Sequence, residues 1–253
     1  MKKYNIGIAL GGGGSRGFAH LGVLEALNEK GIFPDVISGT SAGSIVGALY
    51  ASGMKPTDIY KQLKKTKFTD FTKMHLPKDG LFTFDNLRKR LEKIIPQKTF
   101  QELKTALFIC ITNFNNGKAE YIHCGPLHVI IQASCSIPVL ISPIQINNTY
   151  YVDGGLADNL PIRPLVRRCE KIIGVNISPY EEITKIDNLF HVATRTFQIS
   201  LNNNIRYNKS KCHLYIEPKN ITKYNMLETK HSDELFEIGY KYVKKLSLKE
   251  LMK

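Results

Sequence analysis

The chain has 253 residues, of which 43% are hydrophobic and 23% are charged, a composition typical of a globular protein with a sizeable core. Its formal net charge is +13, and 13 Lys and Arg against 6 Asp and Glu lie between Lys55 and Lys104. This excess indicates either an acidic partner or a solvated basic surface. Because the sequence lacks the aromatic interleaving and motifs of nucleic-acid binders, we expect no nucleic acid and at most peripheral contact with an anionic membrane surface.

The N-terminus and the cysteines bear on the cellular compartment. The first apolar run ends in glycines and is too short for a signal peptide, and no window reaches the ~20 apolar residues of a membrane span. The five cysteines are odd in number and have no metal-ligand spacing. We therefore expect a cytoplasmic protein with reduced thiols, and neither a metal ion nor another cofactor.

Short apolar runs alternate with amphipathic segments, which predicts an α/β fold with a mainly parallel sheet and helices on its faces. The predicted strands are residues 5–10, 33–39, 106–112, 118–123, 149–153, 171–178 and 213–218. The predicted helices are residues 18–30, 42–52, 126 to the approach of Pro138, 188–207 and a last helix after His231, with one or two surface helices and a mobile loop between 55 and 104. No repeat or linker divides the chain, so we expect one domain over residues 1–253, completed by helices and a strand after residue 178.

A glycine-rich loop, GGGGSRG at residues 11–17, follows the first predicted strand. Such loops often bind nucleotide phosphates, but a Walker-type loop needs Lys and Ser or Thr after its last glycine, and this loop has neither. The dinucleotide fingerprint is matched by Gly12, Gly14 and Gly17. It also requires an acidic residue at the end of the second strand, whereas Asp35 begins that strand. Both phosphate interpretations are therefore disfavoured.

A second motif, GTSAG at residues 39–43, lies between a predicted strand and a predicted helix. This is the setting of a nucleophile elbow, in which a sharp turn presents Ser41 Oγ above the sheet and the flanking glycines avoid a clash. Acyl transfer through a serine produces an oxyanion. Backbone N–H groups of Gly12, Gly13 and Gly14, on the neighbouring strand, are suited to stabilise that charge.

A nucleophilic serine needs a proton acceptor. A Ser-Asp-His triad would use His191, His213 or His231, but none has glycine or small-residue neighbours, and Ser41 lies on too early a strand for the α/β-hydrolase order. Asp153 ends a predicted strand and precedes two glycines. Its carboxylate is therefore expected at the same sheet edge as Ser41.

Four segments in this order, GGGGSRG, GTSAG, ASCSIP and DGGLADNLP, resemble those of the patatin-like phospholipase family over roughly residues 5–178. The resemblance implies a three-layer α/β/α fold and a serine acyl hydrolase that cleaves phospholipid or lysophospholipid esters through a Ser-Asp dyad and an acyl-enzyme. The site residues that it implies are the nucleophile Ser41, the general base Asp153, the oxyanion donors Gly12, Gly13 and Gly14, and Arg16 as the basic residue of the loop.

Several alternatives remain open at the level of the sequence. Arg16 is suited either to bind a lipid phosphate or to order the glycine loop by pairing with a carboxylate. Residues 55–104 form either a lid or interfacial surface, or a solvated insertion. His20 is expected to be structural, and Ser134 and Ser136 to shape the wall of the site. An acyltransferase with the same acyl-enzyme and a non-catalytic lipid-binding regulator are the alternative functions, and the oligomeric state is open.

Overall fold

The computed structural model of the protein describes residues 3–66, 68–74, 80–203 and 205–248. Among these residues the strands are β1 (Tyr4–Leu10), β2 (Val36–Thr40), β3 (Lys73–Met74), β4 (Phe82–Thr83), β5 (Ala106–Asn113), β6 (Lys118–Ile122), β7 (Ile144–Ile146), β8 (Thr149–Asp153), β9 (Cys169–Val175) and β10 (Leu214–Ile216). The α-helices are α1 (Phe18–Glu29), α2 (Ala42–Ala51), α3 (Pro56–Leu63), α4 (Phe68–Phe71), α5 (Asp85–Ile94), α6 (Leu127–Ser134), α7 (Arg163–Val166), α8 (Leu189–Leu201), α9 (Ile205–Ser210) and α10 (Ser232–Lys244).

One large sheet is hydrogen-bonded in the order β10-β9-β1-β2-β5-β8-β7, with β2 and β8 along one edge of β5 and β6 along its other edge. The strands from β10 to β5 are parallel to their neighbours, whereas β6, β7 and β8 are paired antiparallel. Helices pack on both faces of this sheet. The predicted three-layer α/β/α fold with a mainly parallel sheet is confirmed.

The two faces of the sheet bury unequal cores. In β1, Ile6, Ile8 and Leu10 belong to the larger core, which α1, α2, α5, α6 and α10 cover, while Ala9 faces a smaller one that includes Leu165 of α7. Successive side chains of a strand point to opposite faces, which explains this division. The thicker layer therefore lies on the face that α1 and α2 occupy.

Local signals explain where several helices begin. Pro56 is the first residue of α3, where its missing N–H leaves no hydrogen bond unmade. Asn188 precedes α8, and its side chain accepts a hydrogen bond from the N–H of His191 at 2.8 Å. The helix predicted over residues 188–207 is observed as two helices, α8 and α9. Asn202 and Asn203 follow α8, and asparagine favours helix ends over helix interiors.

The basic segment 55–104 forms α3, α4 and α5 together with a two-stranded sheet of β3 and β4. Part of the loop predicted near residues 73–82 lies outside the described residues. The segment is not only a surface feature, since Ile59, Leu87 and Leu91 are buried in the larger core. It therefore packs as an integral wall of the fold.

Candidate active site

The ends of β2 and β8 meet along one edge of β5, while β6 pairs with the other edge. Thr40, the last residue of β2, pairs with Cys110, and Asp153, the last residue of β8, pairs with the next residue of β5, Ile111. Because β2 and β8 run in opposite directions along this edge, Ser41 follows Thr40 directly toward Asp153. Ser41 Oγ donates a hydrogen bond to Asp153 Oδ2 at 2.6 Å.

The turn that carries Ser41 is strained and tightly packed. Ser41 has φ 52° and ψ −122°, a backbone conformation that is unfavourable for a residue with a Cβ. A Cβ on Gly39 would overlap the carbonyl of Gly43, and a Cβ on Gly43 would overlap the carbonyl of Leu10. The two glycines of the G-x-S-x-G motif are thus required by close backbone approach, as in a nucleophile elbow.

Two serines of the ASCSIP segment hold the backbone of both site residues. Ser134 Oγ accepts a hydrogen bond from the N–H of Ser41 at 2.9 Å and donates one to the carbonyl of Cys110. The carbonyl of Ser136 accepts a hydrogen bond from the N–H of Asp153 at 2.8 Å. The segment therefore fixes the relative position of Ser41 and Asp153, in addition to shaping the wall.

The carboxylate of Asp153 is removed from solvent, with 0% of the residue exposed. Its Oδ1 accepts a hydrogen bond from the N–H of Gly155 at 2.8 Å. Desolvation by burial raises the pKa of Asp153 to about 7, although hydrogen bonds from Ser41 and Gly155 act in the opposite direction. Asp153 therefore titrates near neutral pH, where a general base is most effective.

The glycine loop lies beside Ser41, since a Cβ on Gly12 would lie 3.1 Å from the Cβ of Ser41. The N–H of Gly12 donates to Asn159 Oδ1 at 3.0 Å, so this predicted oxyanion donor is engaged by a protein acceptor. Within the described part of the chain, the N–H groups of Gly13 and Gly14 have no acceptor. Asn159 was missed as a site residue in the sequence, although it stands within the DGGLADNLP segment.

His20 supports the same loop from α1. Its Nε2 donates a hydrogen bond to the carbonyl of Gly11 at 2.7 Å. Burial lowers the pKa of His20 to about 4, so the ring is neutral at physiological pH. The ring lies behind the loop and makes a structural contact.

Arg16 is buried beneath the glycine loop, with 6% of the residue exposed. Its Nε donates to the carbonyl of Tyr224 at 2.9 Å, and a terminal nitrogen donates to the carbonyl of Thr222 at 2.8 Å. It lines a small polar pocket beside Ser178. The sequence left a lipid phosphate or a carboxylate as the alternative partners of Arg16. In the structure Arg16 donates to two backbone carbonyls and so ties the loop to residues 222–224.

An apolar cleft of about 960 Å³, open to solvent, runs from Ser41 between two parts of the chain. One side is formed by the glycine loop, α1 and α2. The other side comes from the basic segment, whose apolar contributors are Leu63, Phe71, Phe84, Leu87, Leu91 and Ile94. The segment that is basic in composition therefore presents an apolar face to the cleft.

The fold and the site together define the class of the protein: a three-layer α/β protein whose buried Ser-Asp pair sits on a strand-to-helix turn beside an apolar cleft. A model of the family described as patatin-like phospholipase matches residues 8–166. The chain belongs to this family, which comprises enzymes that hydrolyse lipid esters.

Relatives of known name match parts of much longer chains. Lysophospholipase NTE1 from Meyerozyma guilliermondii is 28% identical over 274 residues, covering 95% of this chain and 19% of the relative. Lysophospholipase NTE1 from Saccharomyces cerevisiae is 32% identical over 189 residues, covering 72% of this chain and 11% of the relative. The chain thus spans a fifth or less of these relatives.

A solved structure supports the fold. The crystal structure of VipD from Legionella pneumophila matches with a TM-score of 0.63 at 16% identity, covering 99% of this chain and 67% of VipD. Within the residues described here, no helix is long and apolar enough to cross a membrane. Nor do three or more His, Cys, Asp or Glu side chains of these residues form a group suited to a metal ion.

Proposed function

We propose that the protein is a serine acyl hydrolase that cleaves fatty-acyl esters of phospholipids or lysophospholipids. The observation that carries the proposal is the hydrogen bond of 2.6 Å from Ser41 Oγ to Asp153 Oδ2 beside the apolar cleft. The names of the relatives favour lysophospholipids. Because these relatives are far longer than this chain, its substrate is to be established by direct assay.

The reaction proceeds in two steps through an acyl-enzyme. First, Asp153 accepts the proton of Ser41 as Oγ attacks the ester carbonyl carbon, and the leaving alcohol takes that proton as the C–O bond breaks. Second, Asp153 accepts a proton from water as the water oxygen attacks the acyl group. The fatty acid then leaves, and the proton returns to Ser41 Oγ.

The oxyanion formed in each step is stabilised by the N–H groups of Gly13 and Gly14, which lack an acceptor in the described part of the chain. The positive end of the α2 dipole adds to this field, because Ser41 directly precedes that helix. Gly12 orients the loop through its hydrogen bond to Asn159.

The apolar cleft holds the fatty-acyl chain. Its lining is almost wholly apolar, from Leu21 and Val46 on one side to Leu87 and Leu91 on the other. Burial of a methylene group contributes about 0.8 kcal/mol, so a chain of several methylenes binds through this surface alone.

The dyad is tested by Ser41→Ala and Asp153→Asn with lysophosphatidylcholine as substrate. Each substitution should lower kcat by about 10³-fold or more, since each removes a group that acts directly on the reacting atoms. Released fatty acid is measured, with and without an added acceptor alcohol, so that hydrolysis is separated from acyl transfer. A fluorophosphonate should label the native serine and fail to label Ser41→Ala.

The matched control is Ser52→Ala at the end of α2, whose hydroxyl donates a hydrogen bond to the carbonyl of Leu49 at 2.7 Å. It should retain full activity.

Asp153→Asn should fold at least as stably as the native protein at pH 8. The raised pKa of Asp153 means that the folded state retains a proton that the unfolded state releases between about pH 4 and pH 7, so the charged carboxylate lowers stability above that range. Full activity in Asp153→Asn, with loss in a variant of His191, His213 or His231, would refute the dyad.

A further inference from the structure

The cleft that Ser41 lines contains one charged side chain among the residues described, that of Arg90 on α5. Leu87, Leu91 and Ile94 of the same helix line the cleft around it. Its guanidinium carbon lies 5.9 Å from the centre of the Phe71 ring. A permanent charge in an apolar wall is unfavourable unless an opposite charge or hydrogen-bond acceptors accompany it.

Arg90 has no such accompaniment within the described chain. Its Nε is buried without a hydrogen-bond partner, and no carboxylate of these residues forms an ion pair with it. Two other arginines have partners. Arg88, two residues before Arg90 on α5, pairs with Glu92 at 3.6 Å, and Arg16 donates hydrogen bonds to two backbone carbonyls. The Nε–H of Arg90 is therefore left for a ligand in the cleft.

We propose that Arg90 binds the phosphate of the lipid whose ester lies at Ser41, an inference that rests on the proposed function. A guanidinium donates two parallel hydrogen bonds to phosphate oxygens, and a phosphate oxygen supplies the acceptor that Nε lacks. A monoacylglycerol carries no phosphate and would leave the charge unpaired. Arg90 is thus a specificity-determining residue that favours phosphate-bearing lipids.

The test compares lysophosphatidylcholine with a monoacylglycerol of the same acyl chain, both presented in the same mixed micelles. In Arg90→Gln, the ratio of kcat/KM for the lysophospholipid to that for the monoacylglycerol should fall about 10- to 100-fold, the range expected for a hydrogen bond to a charged group. The loss should lie mainly in KM. Arg90→Lys should lose less, because the charge stays while the forked geometry is lost. Arg88→Gln, on the same helix, should keep the native ratio.

Two outcomes would overturn the proposal. An equal loss on both esters would mean that Arg90 shapes the cleft. If inorganic phosphate inhibits monoacylglycerol hydrolysis by the native protein but not by Arg90→Gln, while the two esters are not discriminated, Arg90 binds free phosphate instead of the lipid phosphate.

A binding measurement separates this proposal from the proposed function. Both lipids are titrated into Ser41→Ala with and without Arg90→Gln. Tighter binding of the lysophospholipid that depends on Arg90 supports the phosphate site even if the native protein hydrolyses neither ester. Equal binding of the two lipids refutes it.

Discussion

At the scale of single residues, burial changes what the pair Ser41 and Asp153 can do. An aspartate in water is a weak base, but Asp153 is wholly buried, which raises its pKa to about 7. Among the described residues, Ser41 Oγ and the N–H of Gly155 are the donors to its oxygens. Burial thus gives Asp153 the basicity that its proposed role as general base requires.

The raised pKa predicts the pH dependence of the reaction. Asp153 accepts a proton only when it is ionised, so kcat/KM should be constant above about pH 7 and fall tenfold per pH unit below it. The measurement uses a neutral, soluble ester at constant ionic strength between pH 5 and pH 9, where the substrate itself does not titrate. A kcat/KM that stays constant down to pH 5 would show that Asp153 keeps the low pKa of an ordinary aspartate.

The sequence identified both members of the pair but not the groups that hold them. Ser41 and Asp153 stand in motifs, and their meeting was expected from their positions at strand ends. The engagement of Gly12 by Asn159, and of Arg16 by the carbonyls of Thr222 and Tyr224, was not predicted. These contacts join residues far apart in sequence, so no local sequence pattern predicts them.

At the scale of elements, α5 shows why composition misleads. It carries Arg88, Lys89 and Arg90, yet Leu87, Leu91 and Ile94 recur at helical spacing and line the cleft. Arg88 and Lys89 do not line the cleft, whereas Arg90 does. The spacing of the leucines indicates an apolar face, but only the packing of α5 in the fold shows that this face lines the cleft.

The contact between α1 and α10 depends on two glycines. A Cβ on Gly22 of α1 would overlap the carbonyl of Phe236, and a Cβ on Gly239 of α10 would overlap the carbonyl of Ala19. Each glycine therefore allows one helix backbone to approach the other. The pair joins the C-terminal part of the chain to the helix that follows the glycine loop.

Substitution of these glycines should destabilise the protein. Gly to Ala in a helix interior ordinarily stabilises by about 1 kcal/mol, but the overlap at Gly22 and Gly239 reverses the sign, with a loss of about 1–3 kcal/mol each. Chemical denaturation of Gly22→Ala and Gly239→Ala measures the free energy of unfolding. Glu237→Ala, on the exposed face of α10, is the control and should change it by less than about 1 kcal/mol. A gain in stability in either glycine variant would contradict the packing described.

At the scale of the whole molecule, the net charge of +13 bears on where the protein meets its lipid. We predict binding to phosphatidylglycerol vesicles that weakens between 50 and 500 mM salt, since the screening length falls below ~8 Å above physiological ionic strength. Cosedimentation measures the bound fraction, and phosphatidylcholine vesicles serve as the control. Binding that salt does not weaken, or equal binding to both vesicle types, would rule out electrostatic attraction.

The sequence by itself determined the fold class, the family and the motifs that contain Ser41 and Asp153. Strand periodicity, helix signals and the glycines of a tight turn are local, so they can be recognised in a single chain. Only the tertiary structure decided how the motifs meet. β8 runs antiparallel to β2 along the same edge of β5, so Asp153 reaches Ser41 end to end.

The chemistry of the site was likewise decided by packing. The raised pKa of Asp153, the engaged N–H of Gly12 and, among the described residues, the unpaired Nε of Arg90 arise from packing in the folded chain. Desolvation and hydrogen-bond partners are properties of the assembled fold, because both depend on which atoms exclude water from a group. Residue types and their spacing therefore do not predict the desolvation of a group or its hydrogen-bond partners.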